Sequence, residues 1–440
     1  MSHGAVGTGE VDDRAALLAA DATGDVFIPP GRVFLVGSDV TLTSNLRFAR
    51  GGMLRPAAGV TITIAGVIQH TLHQIFDCAL GGAVRLAPYN DTELNPNMFG
   101  ARPDYSGDST IAFQKLFGSQ AMRIYIPWGQ YDVRATVRIG AGRKHVRGQG
   151  LRSLIYFNPT ADDVALFETD SDDNCIFEDF YCHHNTYARR AGVTCFKFDN
   201  PNVSAVRFTR VAIERFTKCG IHLRDAMYVN IDTCRFMGMR SLGPAPAEAI
   251  AVDGYLHSGV VRASRFGQND RDVRISRGVA VAIEAGCSFE RSGDTPDRPY
   301  PREAARIGAC IDVQNTRTFS LRDCYVEAPV PGPATGFLRL ANVTGFHLNA
   351  VDFGGEWGPP GSAATACQVH IVGGRGGLLT QCNFTEIRRA FIDVESHATT
   401  VRCMQCTFRS GTAFVTSREA LMSRMGGAQK NRLEFDNYPS

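Results

Sequence analysis

Apolar and polar residues alternate in short runs along most of the chain, and between about residues 203 and 408 one six-residue phrase returns at intervals of 23 to 37 residues. Its copies occupy 231–236, 261–266, 284–289, 321–326, 348–353, 379–384 and 403–408. The fourth position is small or apolar each time (Cys234, Ser264, Cys287, Cys324, Val351, Cys382, Cys406), and the sixth is Phe except at Val326. Alternation at a period of two is strand periodicity. Further alternating runs at 309–313 and 390–394 supply second strands between the phrases. A unit of two or three short strands cannot bury its apolar face alone, so it stacks on copies of itself. The expected fold is all-β: a right-handed parallel β-helix, with Cys, Val and Phe in internal ladders and polar residues outside. Variation in repeat length then belongs to loops at one corner of each coil, the most obvious being 291–302.

Upstream, Gly4, Gly7 and Gly9 lead to Asp12 and Asp13, a helical run to about Ala22 and a strand ending in Pro29-Pro30-Gly31. The two aspartates can cap and electrostatically favour the helix N-terminus. The same sentence returns 96 residues later, from Phe99-Gly100-Ala101 through Gly107-Asp108-Ser109-Thr110 to Pro127-Trp128-Gly129-Gln130-Tyr131. Runs at 40–48 and 59–66 between the copies alternate cleanly. The organisation expected is a small N-terminal β domain at 1–94, a β-helix at 95–415, and a tail at 416–440 with a helix near 417–425. A last strand around Leu433 either caps the open end or pairs with a neighbouring subunit, because an uncovered solenoid end exposes unpaired strand groups.

The Gly-Ala-x-Gly-x-Gly-x-x-Asp-Asp-x-x-Ala-Leu pattern at residues 4–17, followed by a Pro-Gly turn and a β-helix, resembles the opening motif of the pectate-lyase-like superfamily, in the form found in bacteriophage tailspikes and capsule depolymerases. The second copy departs from it in having Gly107-Asp108-Ser109-Thr110 at the Asp pair, and the first in Arg32-Val33-Phe34 after the turn. The resemblance implies a homotrimer on a phage tail or baseplate, assembled in the host cytoplasm, with a bacterial surface polysaccharide as its partner. The chain starts directly at the motif, so it is expected to be a truncated piece or one member of a branched assembly.

Composition narrows the classes. Over 440 residues the net charge is +2, which leaves no bulk electrostatic hold on nucleic acid. No run of about 18 apolar residues and no secretion leader is present, so membrane insertion is not expected. The 13 cysteines are odd in number and recur at one repeat position. They read as small core residues made in a reducing compartment. Cys403 and Cys406 have metal spacing without a second pair, so neither a metal nor a cofactor is expected.

Repeat alignment becomes a distance estimate, because equal positions on adjacent coils lie about 4.8 Å apart. Glu290 and Glu327 each fall three residues after the central position and are expected to be stacked neighbours. Asp323, Asp352 and Glu356 add acidity nearby. Two carboxyls about 5–5.5 Å apart suit a retaining glycosidase, and about 6.5–9.5 Å an inverting one. Trp357, Tyr300 and Arg298 lie in flanking loops and, with Tyr255 and His257, are the candidate sugar contacts. The plain alternative is a solvated acidic stack bridged by Arg322 or Arg339. Two other sets compete: His183, His184, Asn185, Tyr187, Arg189 and Arg190, which would suit a lyase; and Asp253, Tyr255, His257, Asp270 and Asp272. Endo-glycoside hydrolysis of a bacterial surface polysaccharide is the leading expectation. β-Elimination by a polysaccharide lyase and non-catalytic glycan binding are the alternatives.

Overall fold

A computed structural model describes residues 2–69, 71–169, 174–185, 190–290, 308–327, 336–354, 367–385, 390–394, 400–410, 413–414 and 432–436. They form a parallel β-helix, as the repeat requires, and divide into two compact units, one of 1–160 with 165–185 and one of 161–164 with 186–440.

The first unit holds both opening motifs and begins with small parallel sheets. Thr8–Asp12, Val33–Val36 and Met53–Pro56 form one; Val40–Leu42, Thr61–Ile64 and Ala83–Leu86 form another. Each motif ends in a short helix, Arg14–Asp21 and Thr110–Phe117. The Asp pair works differently from the expected cap. Asp13 is buried and turns away from the helix, accepting hydrogen bonds from the Val6 and Gly7 amides. Asp12 accepts from the Arg14 and Gly37 amides. In the second copy Asp108 accepts from the Thr110 amide, and the Ser109 hydroxyl oxygen from that of Arg102. Serine therefore keeps the loop-closing role of Asp13, which is why the departure at this position leaves the fold intact. Beyond the second helix, Asp104–Asp108, Gly129–Val133, Ser153–Phe157 and Tyr181–His184 stack in parallel.

In the second unit the repeated phrase is a column of parallel strands. Arg235, Arg265, Ser288, Tyr325, Asp352, Asn383 and Thr407 are in register, so all seven copies lie on one another as the spacing predicts. The phenylalanines of the phrase stack inside, with ring centroids 4.8 to 5.0 Å apart and planes within about 11° of parallel. Val326 interrupts the column, and Phe337 from the next wall fills the gap edge-on, 5.6 Å from Phe289 and 6.3 Å from Phe353. Before each central residue the chain bends through positive φ at Thr233, Ala263, Ala285, Asp323, Ala350, Gln381 and Gln405. Residues with side chains tolerate this left-handed backbone because the corner amides stay in the inter-coil ladder, as Asp323 does with the Asn349 carbonyl at 2.9 Å. Variation in repeat length falls after one strand of each coil, between Arg235–Met237 and Glu248–Val252, between Ser288–Glu290 and Ile311–Gln314, and between Tyr325–Glu327 and Gly336–Asn349. Arg432–Asp436 pairs in parallel with Thr400–Met404, so the expected last strand extends this chain's own ladder. The helix expected near 417–425 lies outside the described residues.

All 13 cysteines are free thiols, and only Cys406 is not fully buried. Burial pushes the Cys234 thiol up to about 12 and that of Cys78 to about 11. Hydrogen bonds from Cys382 and Cys403 instead lower the Cys406 thiol below the ordinary range. Reactivity follows thiolate character and access. A brief exposure to iodoacetamide at neutral pH is therefore expected to label Cys406 ahead of every other cysteine by peptide mass spectrometry; equal labelling of Cys234 would contradict this.

Candidate functional site

The site rests on three consecutive strands of the second unit, Ser288–Glu290, Tyr325–Glu327 and Asp352–Phe353. Their central residues Phe289 and Val326, with Phe353, point into the core, so alternation turns Ser288 and Glu290, Tyr325 and Glu327, and Asp352 outward. Glu290 and Glu327 are direct register partners. Register partners on adjacent coils lie about 4.8 Å apart, so the two carboxylates leave the wall one rung apart. Both are the last residue of their strand, at the corner from which the loops project.

The two carboxylates have different surroundings. Glu290 is 27 % exposed and receives a 2.6 Å ion pair from Arg265, which lies on the preceding coil. Glu327 is exposed and, among the described residues, has no cationic partner. Asp352 joins from the next coil as the register partner of Tyr325 and accepts a 3.1 Å hydrogen bond from the Asn383 amide group. Burial raises the Tyr325 hydroxyl above the ordinary phenol value, and the charges of Glu327, Asp352 and Glu290 raise it further. One phenol thus stands among three carboxylates. Tyr325 occupies the position after the central residue of the phrase, so the repeat already contained the signal that places it here; Arg265 occupies the same position on an earlier coil, but its register partner is Ser288 and it reaches Glu290 diagonally.

The other expected residues go elsewhere. Asp323 is at the left-handed corner (φ +52°), one position before the central cysteine, and its backbone carbonyl accepts from the Gly286 amide at 2.7 Å. It is aligned with Ala350, not with Asp352. Glu356, Trp357, Tyr300 and Arg298 lie outside the described residues. Arg322 binds Glu284 and Arg339 binds Asp312, so neither bridges the acid stack; Arg265 pairs with Glu290.

Tyr255 and His257 come together on a different wall, with ring centroids 6.5 Å apart. Tyr228 stands edge-on to His257 at 5.9 Å, and the Arg277 guanidinium lies over Tyr255 at 5.8 Å. The aspartates of that set are engaged in structure. Asp253 pairs with His222 and Arg274, while Asp270 pairs with the buried Arg240. Asp270 also accepts from the Ser241 and Ala247 amides, closing the 241–247 loop. Asp272 accepts from Asn269 at 2.9 Å. In the first unit Tyr181, His183 and His184 share one strand, His183 facing outward and His184 buried. Tyr187 and Arg189 lie outside the described residues. Among the described residues, no group of three or more His, Cys, Asp or Glu is arranged to hold a metal ion, and no helix is long and apolar enough to cross a membrane.

No protein-family model matches the sequence, and no curated protein matches it. Solved structures do resemble the fold. ORF18 of Geobacillus virus E2 is 13 % identical with a TM-score of 0.45, over 78 % of this chain and 60 % of that one. The catalytic domain of Agl-KA is 13 % identical with a TM-score of 0.48, over 80 % and 69 %. The surface protein and adhesin PfbA of Streptococcus pneumoniae is 11 % identical with a TM-score of 0.45, over 78 % and 98 %. The chain therefore spans less than two thirds of the viral protein.

Proposed function

We propose that this protein binds and cleaves a bacterial surface polysaccharide by endo-glycoside hydrolysis at the stacked acid pair. The observation that carries the reading is the register of Glu290 with Glu327 on the outer face of adjacent coils. One rung is close to the separation of about 5–5.5 Å used by retaining glycosidases. The ion pair with Arg265 suits Glu290 to the charged role of nucleophile. Glu327, next to it and without a cationic partner among the described residues, suits the acid. In the first step Glu327 gives its proton to the glycosidic oxygen, the bond from that oxygen to the anomeric carbon breaks, and Glu290 bonds to that carbon as the sugar on the other side leaves with a free hydroxyl. In the second, Glu327 takes a proton from water, and the resulting hydroxide displaces Glu290.

The tailspike role, the homotrimer and the place on a phage tail belong to the same proposal.

The test is to incubate the protein with purified capsules, exopolysaccharides and O-antigens and follow chain length and products. A fall in chain length with saturated products and retained anomeric configuration supports the proposal. Unsaturated, ultraviolet-absorbing products favour the lyase, and unchanged length on every polymer favours a non-catalytic adhesin.

A further inference from the structure

The first unit carries a second cluster that the acid pair does not use. Tyr105 and Tyr156 meet edge to face with ring centroids 5.0 Å apart, and Tyr156 meets His183 at 5.3 Å. Tyr181 completes the group, 5.8 Å from His183. Asp132, Tyr156 and His183 are register partners on three successive coils, and Tyr105 comes from the coil before them. The rings step by 5.0 and 5.3 Å from Tyr105 through Tyr156 to His183, a short aromatic run on which the face of a sugar chain can pack. Hydrogen-bonding groups border the rings. The Tyr105 hydroxyl accepts from the Asn158 and Asn185 side-chain amides at 2.9 and 3.2 Å, and Asn158 also donates to Asp132. Tyr105 is 38 % exposed, and the other three rings are half-buried, so each keeps solvent-facing area.

The internal repeat makes Tyr105 informative. It aligns with Gly9 of the first motif, 96 residues earlier, and both have positive φ, +80° for Gly9 and +60° for Tyr105. The first copy fills this left-handed position with the residue that adopts it freely. The second accepts backbone strain and gains an exposed ring in contact with another ring. Strain retained at one copy of a duplicated motif points to a use for the side chain.

We infer that the Tyr105, Tyr156, Tyr181 and His183 wall binds uncharged pyranose units of a polysaccharide, independently of the acid pair. Sugar C–H faces pack on the rings, and sugar hydroxyls meet Asn158 and Asn185 at their border. The charges favour a neutral sugar over a uronate: among the described residues the Arg134 guanidinium is already paired with Asp132 at 2.7 Å, and Asp104 and Asp108 lie on the same strand as Tyr105.

The test uses the full chain carrying Glu327→Gln on a broad printed array of neutral and uronate-bearing bacterial glycans. Binding to neutral pyranosides is expected, weakened at least tenfold by Tyr105→Gly or Tyr156→Ala. Tyr105→Gly is also expected to keep or raise the melting temperature, because glycine relieves the positive φ; a purely structural tyrosine would lower it. Failure to bind any neutral glycan, preference for uronates, or unchanged binding in Tyr105→Gly overturns the inference. The two proposals fail separately. A wild-type chain that never hydrolyses polymer but binds the array loses the acid-pair mechanism and keeps this site.

Discussion

Replacing Glu327 by glutamine is expected to lower polysaccharide cleavage on the order of a hundred- to ten-thousand-fold, the range lost when a positioned proton donor is removed. The amide preserves size and leaves the fold undisturbed, because Glu327 is exposed at the end of its strand. Glu290→Gln is expected to do comparable damage and also to leave Arg265 without its partner. Mass spectrometry should separate the two: a covalent glycosyl adduct can accumulate only while Glu290 is a carboxylate. Asp323→Asn serves as the control, since that residue occupies a corner and not the acid ladder. Cleavage rates measured on one polymer decide the matter, and full turnover in both glutamine variants would remove the assignment.

The second large effect belongs to the core. Phe337→Ala is expected to cost about 3–5 kcal/mol, the range for deleting a fully buried aromatic side chain, because among the described residues no other ring bridges the break that Val326 leaves between Phe289 and Phe353. Val326→Phe alone should also destabilise, by overpacking against Phe337. The two changes together should restore a continuous column and cost less than the sum of the singles. Denaturant midpoints for the four chains check this, and strict additivity would mean that Phe337 does not occupy the place of a missing ring.

The fold was legible because its period is carried by residues that must be inside. Cys234, Cys287 and Cys324, with Phe236, Phe289 and Val326 two positions later, are buried on one column of strands, so linear spacing translated into height. The same translation placed Glu290 beside Glu327. It misplaced Asp323, since counting residues does not show that the chain bends through a left-handed corner there and points the next side chain elsewhere. It also passed over Arg265, because an ion pair reaching diagonally from one coil to the next depends on side-chain length and not on period. Asp13 was misread for a related reason: a carboxylate before a helix has two sets of amides within reach, and the glycine-rich loop took it.

The position of the acid pair has a consequence for diversification. Each coil releases its variable segment after the same strand, and the stacked glutamates close two of those strands. Insertions or deletions there can reshape what surrounds the carboxylates without shifting any rung of the wall. Such a scaffold would let specificity drift while the reactive groups stay anchored, and transplanting one whole segment from a homologue is the engineering change it should tolerate best.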